Sequence, residues 1–211
     1  MKSAVHLEIS QTEVSDGNQP QRRIRADALR NEDAILEAAK AVFKTAGVDA
    51  PVREIAAKAG VGIGTLYRRY PNRSDLVAAV FRREVDACAA QATQLAAALP
   101  PEEALVAWLK HYTDFIGTKR GLAAALHSGD PAFDGLPGYF RENFEPALKS
   151  LLDAAAEAGQ VRGDIAAYDL LRAIGNLTVA SGENAAAHTA SMVGLLIDGL
   201  RFGAAEPPKG A

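Results

Sequence analysis

The sequence predicts an all-α protein of about nine helices, with a small three-helix module in front of a larger helical body. Three observations predict it. Among 211 residues, 43 alanines stand against 9 isoleucines, 13 valines and 8 threonines; alanine is the best helix former, and the β-branched residues favour strands. Apolar residues follow the i, i+3, i+4, i+7 spacing of a buried helix face, most clearly over 35–46. Glycine, proline and asparagine cut the chain into pieces of helical length. The length suits one domain, or a small module joined to a larger one, and is enough to bury a real core.

Element by element, residues 1–25 read as a flexible polar arm that ends in the basic cluster Arg22, Arg23 and Arg25. The first helix is expected at about 32–46. Asn31 would cap it, Glu32 and Asp33 would face the positive end of its dipole, and Gly47 would stop it. Two short helices follow, at about 52–58 and 63–69, joined through Ala59-Gly60-Val61. Pro71 and Asn72 then break the chain. A long helix, capped at Ser74-Asp75, runs towards Leu99 and stops at Pro100-Pro101. Five more helices are expected near 102–117, 119–127, 138–158, 166–181 and 186–203. The corresponding domains are residues 26–73 and 74–203, with a disordered tail over 204–211.

Charge divides along the same boundary. The net charge is −3, but residues 20–85 carry 13 basic and 8 acidic side chains, and residues 86–211 carry 9 and 15. A basic front module on an acidic body suggests a polyanion partner at one end only. The single cysteine, Cys88, excludes a disulfide framework or a cysteine-rich zinc site. No run of ~18 apolar residues provides a membrane span. The first 21 residues lack the apolar stretch of a secretion signal, so a cytoplasmic location is expected.

Residues 52–70, VREIAAKAGVGIGTLYRRY, carry the chemistry. Two short helices at a steep angle need a small residue at their contact, supplied by Ala56. They also need a turn residue tolerant of positive φ, supplied by Gly60. Ile55, Val61 and Leu66 are spaced to meet between these helices and the first. This is the helix-turn-helix pattern, whose second helix enters the major groove of DNA. Gly62 and Gly64 leave the start of that helix bare beside Ile63. Thr65 can touch a thymine methyl or donate a hydrogen bond. Tyr67 and Tyr70 offer phenol donors, and Arg68, Arg69 and Arg73 add positive charge. The competing reading is a helical hairpin with a solvated basic face.

Across Ile35–Leu76 the sequence resembles the N-terminal domain of the tetracycline-repressor-like (TetR) family of bacterial transcription regulators. The matching residues are Ile35-Leu36, Ala38-Ala39, Phe43, Gly47, Ile55-Ala56, AGVGIGTLY at 59–67, Tyr70-Pro71-Asn72-Arg73 and Asp75-Leu76. The resemblance implies a homodimer on double-stranded DNA at a palindromic operator, with a small-molecule effector in the C-terminal body. Gly64, Thr65 and Tyr67 would face DNA, Tyr67, Tyr70 and Arg73 mainly touching phosphates, and Arg53 would also meet the backbone. Where the family usually carries a serine or threonine before the first short helix, this chain has Pro51, which has no hydroxyl for that phosphate contact.

In the body, Trp108, Tyr112, Phe115, Tyr139, Phe140 and Phe144 concentrate aromatic mass, and Asn176 adds a polar group. They read either as the lining of an effector pocket or as a plain aromatic core. Leu170, Ile174 and Leu177, and then Val193, Leu196, Ile197 and Leu200, form stripes on the last two helices. The stripes face either the chain's own core or, as the resemblance implies, a second subunit. No catalytic, metal or cofactor site is expected. His111, His127 and His188 lie on separate segments, and there is no nucleophile elbow, phosphate loop or dinucleotide fingerprint. The expected function is a repressor released from its operator by a small molecule. The alternative is a small-molecule-binding or enzymatic helical bundle without DNA binding.

Overall fold

The computed structural model describes residues 19–117, 129–178 and 184–202, with side chains from residue 27 onward. These residues form eight α-helices: α1 Gln19–Ala46, α2 Val52–Ala59, α3 Ile63–Arg69, α4 Arg73–Ala98, α5 Pro101–Gly117, α6 Leu136–Glu157, α7 Ala167–Leu177 and α8 Ala185–Arg201. A short 3-10 turn, Pro131–Phe133, precedes α6, and the Asp130 carboxylate accepts the Ala132 N–H at its start. No strand occurs among the described residues. The helix expected at 119–127, His127, residues 1–18, the tail over 204–211 and the side chains of Arg22, Arg23 and Arg25 lie outside the described residues.

The first helix is longer than the sequence pattern indicated. It starts at Gln19 rather than near 32, so Asn31, Glu32 and Asp33 lie inside it and cap nothing. Its only proline, Pro20, occupies the first turn, where the missing N–H costs no helical bond. Nothing between Pro20 and Gly47 breaks a helix. The long helix likewise starts earlier than expected, its cap lying two residues before Ser74. Asn72 is its N-cap, and the Asp75 carboxylate accepts the Asn72 N–H at 3.2 Å.

Two cores form. The first joins Ile35, Leu36, Ala39 and Val42 of α1, Ile55 and Ala56 of α2, Leu66 of α3, Tyr70, and Leu76 and Val80 of α4. The second joins Val77, Phe81, Val85, Cys88 and Ala92 of α4 to α5, α6, α7 and α8. The boundary drawn at 73/74 thus falls where a single helix begins to serve both cores. Charged contacts fasten α4 to α1: Arg83 reaches Asp33 at 2.9 Å and Glu37 at 3.3 Å, and Lys40 reaches Glu84 at 2.6 Å. On the other side, the Tyr139 hydroxyl at the start of α6 donates to the Asp86 carboxylate, and Arg82 lies over the Tyr139 ring.

Candidate nucleic-acid interface

The turn between α2 and α3 is built as the sequence spacing requires. Gly60 takes a left-handed conformation, φ 68°, and the Val61 N–H closes the turn on the Ala56 carbonyl at 3.0 Å. A side chain there would clash with the backbone, so glycine removes the strain. Ile55, Ala56 and Leu66 meet in the crossing and are almost fully buried. Leu66 anchors the inner face of α3, so the opposite face is presented to solvent.

That outer face carries Ile63 and Tyr67, each 48% exposed, with Gly64 and Arg68 also exposed. A Cβ added at Gly64 would meet nothing within 4 Å, and one at Gly62 would meet only Thr65 Oγ1 at 4.0 Å. The helix surface is therefore trimmed where a flat partner would approach its backbone. Arg68 donates to the Thr65 hydroxyl at 3.2 Å, which holds the guanidinium along the helix. Thr65 itself is half-buried. Arg53, at the second position of α2, is exposed. Pro51 is the N-cap of α2, and no side-chain cap bond forms there.

Two residues expected at the interface are committed elsewhere. Tyr70 is 5% exposed, and its hydroxyl donates to Glu32 of α1 at 3.3 Å. Burial first, and then the Glu32 charge, push its phenol up to about 12. Arg73 donates to the carbonyls of Val48 and Ala50, at 2.7 Å to the latter. It ties down the loop between α1 and α2, where two otherwise orphaned acceptors need a donor. The sequence reading overlooked the brace made by Arg69, which pairs with Glu32 and lies 5.7 Å from the Tyr70 ring centroid. No local motif announces it, because Glu32 is 37 residues away.

Of the aromatic group in the body, Trp108, Tyr112, Phe115, Phe140 and Phe144 pack against one another, whereas Tyr139 stands apart from them and borders an open cleft. Trp108, Tyr112 and Phe144 are at most 1% exposed. Trp108 stacks on Tyr112 at 5.6 Å, and Phe144 meets Trp108, Tyr112, Phe115 and Phe140 edge-on at 4.7–5.9 Å. Their polar atoms are satisfied internally: Trp108 Nε1 donates to the Cys88 carbonyl at 2.9 Å, and the Tyr112 hydroxyl to Leu171 at 3.1 Å. These side chains close on one another rather than line a hollow, because edge-to-face rings fill space efficiently. Asn176 is exposed at the end of α7 and does not face them.

Open clefts lie elsewhere. One, of about 880 Å³, separates the front module from the body and is lined by Glu32, Arg69, Arg82, Asp86 and Tyr139 among others. Another, of about 530 Å³, lies on the outer face of α5 and includes Glu103, His111, Asp114 and Arg201.

The stripes expected at a subunit interface are mostly internal. Leu170, Ile174, Val193, Ile197 and Leu200 are buried in the body's own core, while Leu177 and Leu196 pack partly against it. An apolar residue already covered by its own chain leaves little surface for a partner. Among the residues α8 leaves outside are Ala187, Ser191, Leu195 (61% exposed) and Asp198, with Phe202 (84% exposed) following its end. These residues recur at three- and four-residue spacing on one helix face. Among the described residues, no group of three His, Cys, Asp or Glu side chains could hold a metal ion, and no helix is long and apolar enough to cross a membrane.

Comparison with known proteins follows the same division. A family model described as "Bacterial regulatory proteins, tetR family" matches residues 35–80, and one described as "Transcriptional regulator SbtR-like, C-terminal domain" matches residues 100–202. A TetR transcriptional regulator from Streptomyces coelicolor, of known structure, is 38% identical with a TM-score of 0.67, over 80% of this chain and 97% of that one. A TetR transcription regulatory protein from Mycobacterium vanbaalenii is 34% identical with a TM-score of 0.65, over 85% and 99%. An HTH-type transcriptional regulator of Staphylococcus aureus is 36% identical over 73 residues, which span 34% of this chain and 40% of its own length.

Proposed function

The chain belongs to the TetR family, whose members are transcriptional regulators rather than enzymes, and from that premise we propose that it is a homodimeric, cytoplasmic repressor released from a palindromic operator by a small molecule. One observation carries the DNA-binding half of this reading: α3 is anchored inward by Leu66 and turns Ile63, Gly64, Tyr67 and Arg68 outward. In a two-fold dimer the two α3 helices enter successive major grooves, about 34–36 Å apart. Tyr67, Arg68 and Arg53 supply phosphate contacts, and the described side chains of Tyr70 and Arg73 act behind them as braces. We also propose that Arg22, Arg23 and Arg25, the basic cluster of the N-terminal arm, contribute phosphate contacts.

The second subunit docks on the outward face of α7 and α8, through Leu195, the small residues beside it and Phe202. The effector half of the reading rests on α4. This helix packs into both cores, so a molecule that parts α4 from α5 and α6 also moves the front module. The closed aromatic core is then the DNA-competent state. The effector acts only to the extent that it binds the opened state more tightly.

The test is a selection of duplexes from a random library with the full-length protein, followed by gel shift. A palindromic consensus is expected, with affinity falling steeply as salt rises. Arg68→Ala is expected to weaken binding and reduce the salt slope by about two, one lost phosphate contact in each subunit of the dimer. Recovery of no preferred duplex would overturn the proposal.

A further inference from the structure

Resting on the reading that α3 enters the major groove, we propose that Ile63 reads the methyl group of a thymine in each half-site, so that a T is the base most strongly specified by the start of this helix. Ile63 is the first residue of α3, and 48% of it is exposed although it is a large aliphatic side chain. Its inner neighbour Leu66 is 1% exposed, so the helix had an apolar anchor without it. The residues on either side of Ile63 are glycines, where a Cβ would meet nothing within 4 Å at Gly64 and only Thr65 Oγ1, at 4.0 Å, at Gly62. The isoleucine therefore stands alone on a bare patch of backbone that a duplex can approach closely.

The chemistry of the base edges selects the partner. In the major groove, guanine, adenine and cytosine present donors and acceptors, and thymine adds a C5-methyl group. A branched hydrocarbon pressed on a polar edge would strip water from it and return no hydrogen bond. Pressed on a methyl group, it buries apolar surface on both sides. Position agrees with this, since recognition helices contact base edges with their N-terminal residues. Tyr67 and Arg68 lie a turn further on, towards the backbone. Thr65, the residue the sequence offered for a thymine methyl, is half-buried and its hydroxyl accepts from Arg68.

The experiment uses the full chain and the duplex recovered from the random library. Each thymine is replaced singly by deoxyuridine, which deletes the methyl and nothing else, and affinities are measured for the native protein and for Ile63→Ala. One thymine per half-site is expected to lose about fourfold on replacement, the loss of one buried methyl. Ile63→Ala, which removes the contact from both half-sites, is expected to lose about fourfold per half-site, on the order of 16-fold, on the unmodified duplex and to be indifferent to uridine at that position. An unchanged melting temperature confirms that this exposed substitution leaves the fold intact. Equal uridine penalties in both proteins at every thymine overturn the methyl contact while leaving DNA binding in place. Failure to recover any preferred duplex overturns the DNA-binding reading and this inference with it.

Discussion

Charge of one sign can serve two ends, and the arginines around α3 divide between them. Arg68 is exposed and its nearest partner is a threonine hydroxyl, so its charge remains available to a phosphate. Arg73 spends its donors on two backbone carbonyls inside its own chain. Arg73→Ala should therefore lower unfolding free energy by on the order of 2 kcal/mol, since bonds from a charged donor are the stronger kind. Arg68→Ala should leave the melting temperature unchanged and act on DNA affinity alone. A melting curve and a gel shift on each variant check the division; loss of affinity with full stability in Arg73→Ala would reverse its assignment. Cys88 makes a second residue-scale case. Burial, and then the nearby Glu84, push its thiol from 9.0 up to about 12. Folding favours the neutral thiol, so its contribution to stability is complete below pH 9 and is lost as pH climbs from there to about 12. At pH 8 the native protein should fail to react with a thiol reagent within minutes, and should react with one equivalent in denaturant. Rapid labelling of the native chain would show the thiol to be accessible. The sequence distinguished none of these fates. It showed that arginines and a cysteine were present, but their partners lie up to 25 residues away and depend on how the helices cross.

Helix α4 is the element on which the two cores meet. Its first turns place Leu76 and Val80 in the front core and Val77 and Phe81 in the rear one, so consecutive residues face different domains. That arrangement follows from helical geometry, in which neighbours lie about 100° apart, and it makes α4 a continuous connection between the two cores. Helices and their breaks were readable because glycine, proline and spacing are local signals. The start of α1 was not, because its first turns carry no apolar face and only the absence of a breaker extends them. The aromatic residues read either as the lining of a pocket or as a plain core, because their count alone does not separate a lining from a filling; ring geometry does. A filled core makes a firm demand on stability. Phe144→Ala should cost about 3–5 kcal/mol, the usual penalty for emptying an aromatic site. Tyr112→Phe should cost about 1 kcal/mol, by removing its hydrogen bond to the Leu171 carbonyl. Urea titrations of the two variants check this ladder. A near-neutral Phe144→Ala would show that the ring borders open space after all.

At the scale of the whole molecule, the distribution of charge and of bare apolar surface separates two opposite poles. The basic front and the acidic body orient the protein on a polyanion, the body being repelled as the front is attracted. The outward face of α8 leaves Leu195 and, beyond its end, Phe202 uncovered, beside Ala187, Ser191 and Gly194, whose small side chains let another helix approach. The buried stripe on the same helix already stabilises the subunit, so the two faces answer to different measurements. Leu200→Ala, on the inner face, should destabilise the fold by about 2–5 kcal/mol. Leu195→Arg, on the outer face, should leave the helical signal in circular dichroism intact. If the proposed dimer docks on this face, the substitution should shift the mass found by light scattering from dimer to monomer, because each subunit would bury an arginine there with no partner. A monomer holds only one half-site, so the gain from linking two sites disappears and operator affinity should fall on the order of 100-fold or more. The outcome is decisive for the assignment of faces. If Leu195→Arg remains dimeric and binds the operator as the native chain does, the subunits meet elsewhere, and the exposed leucine is only a tolerated apolar residue on a solvated helix.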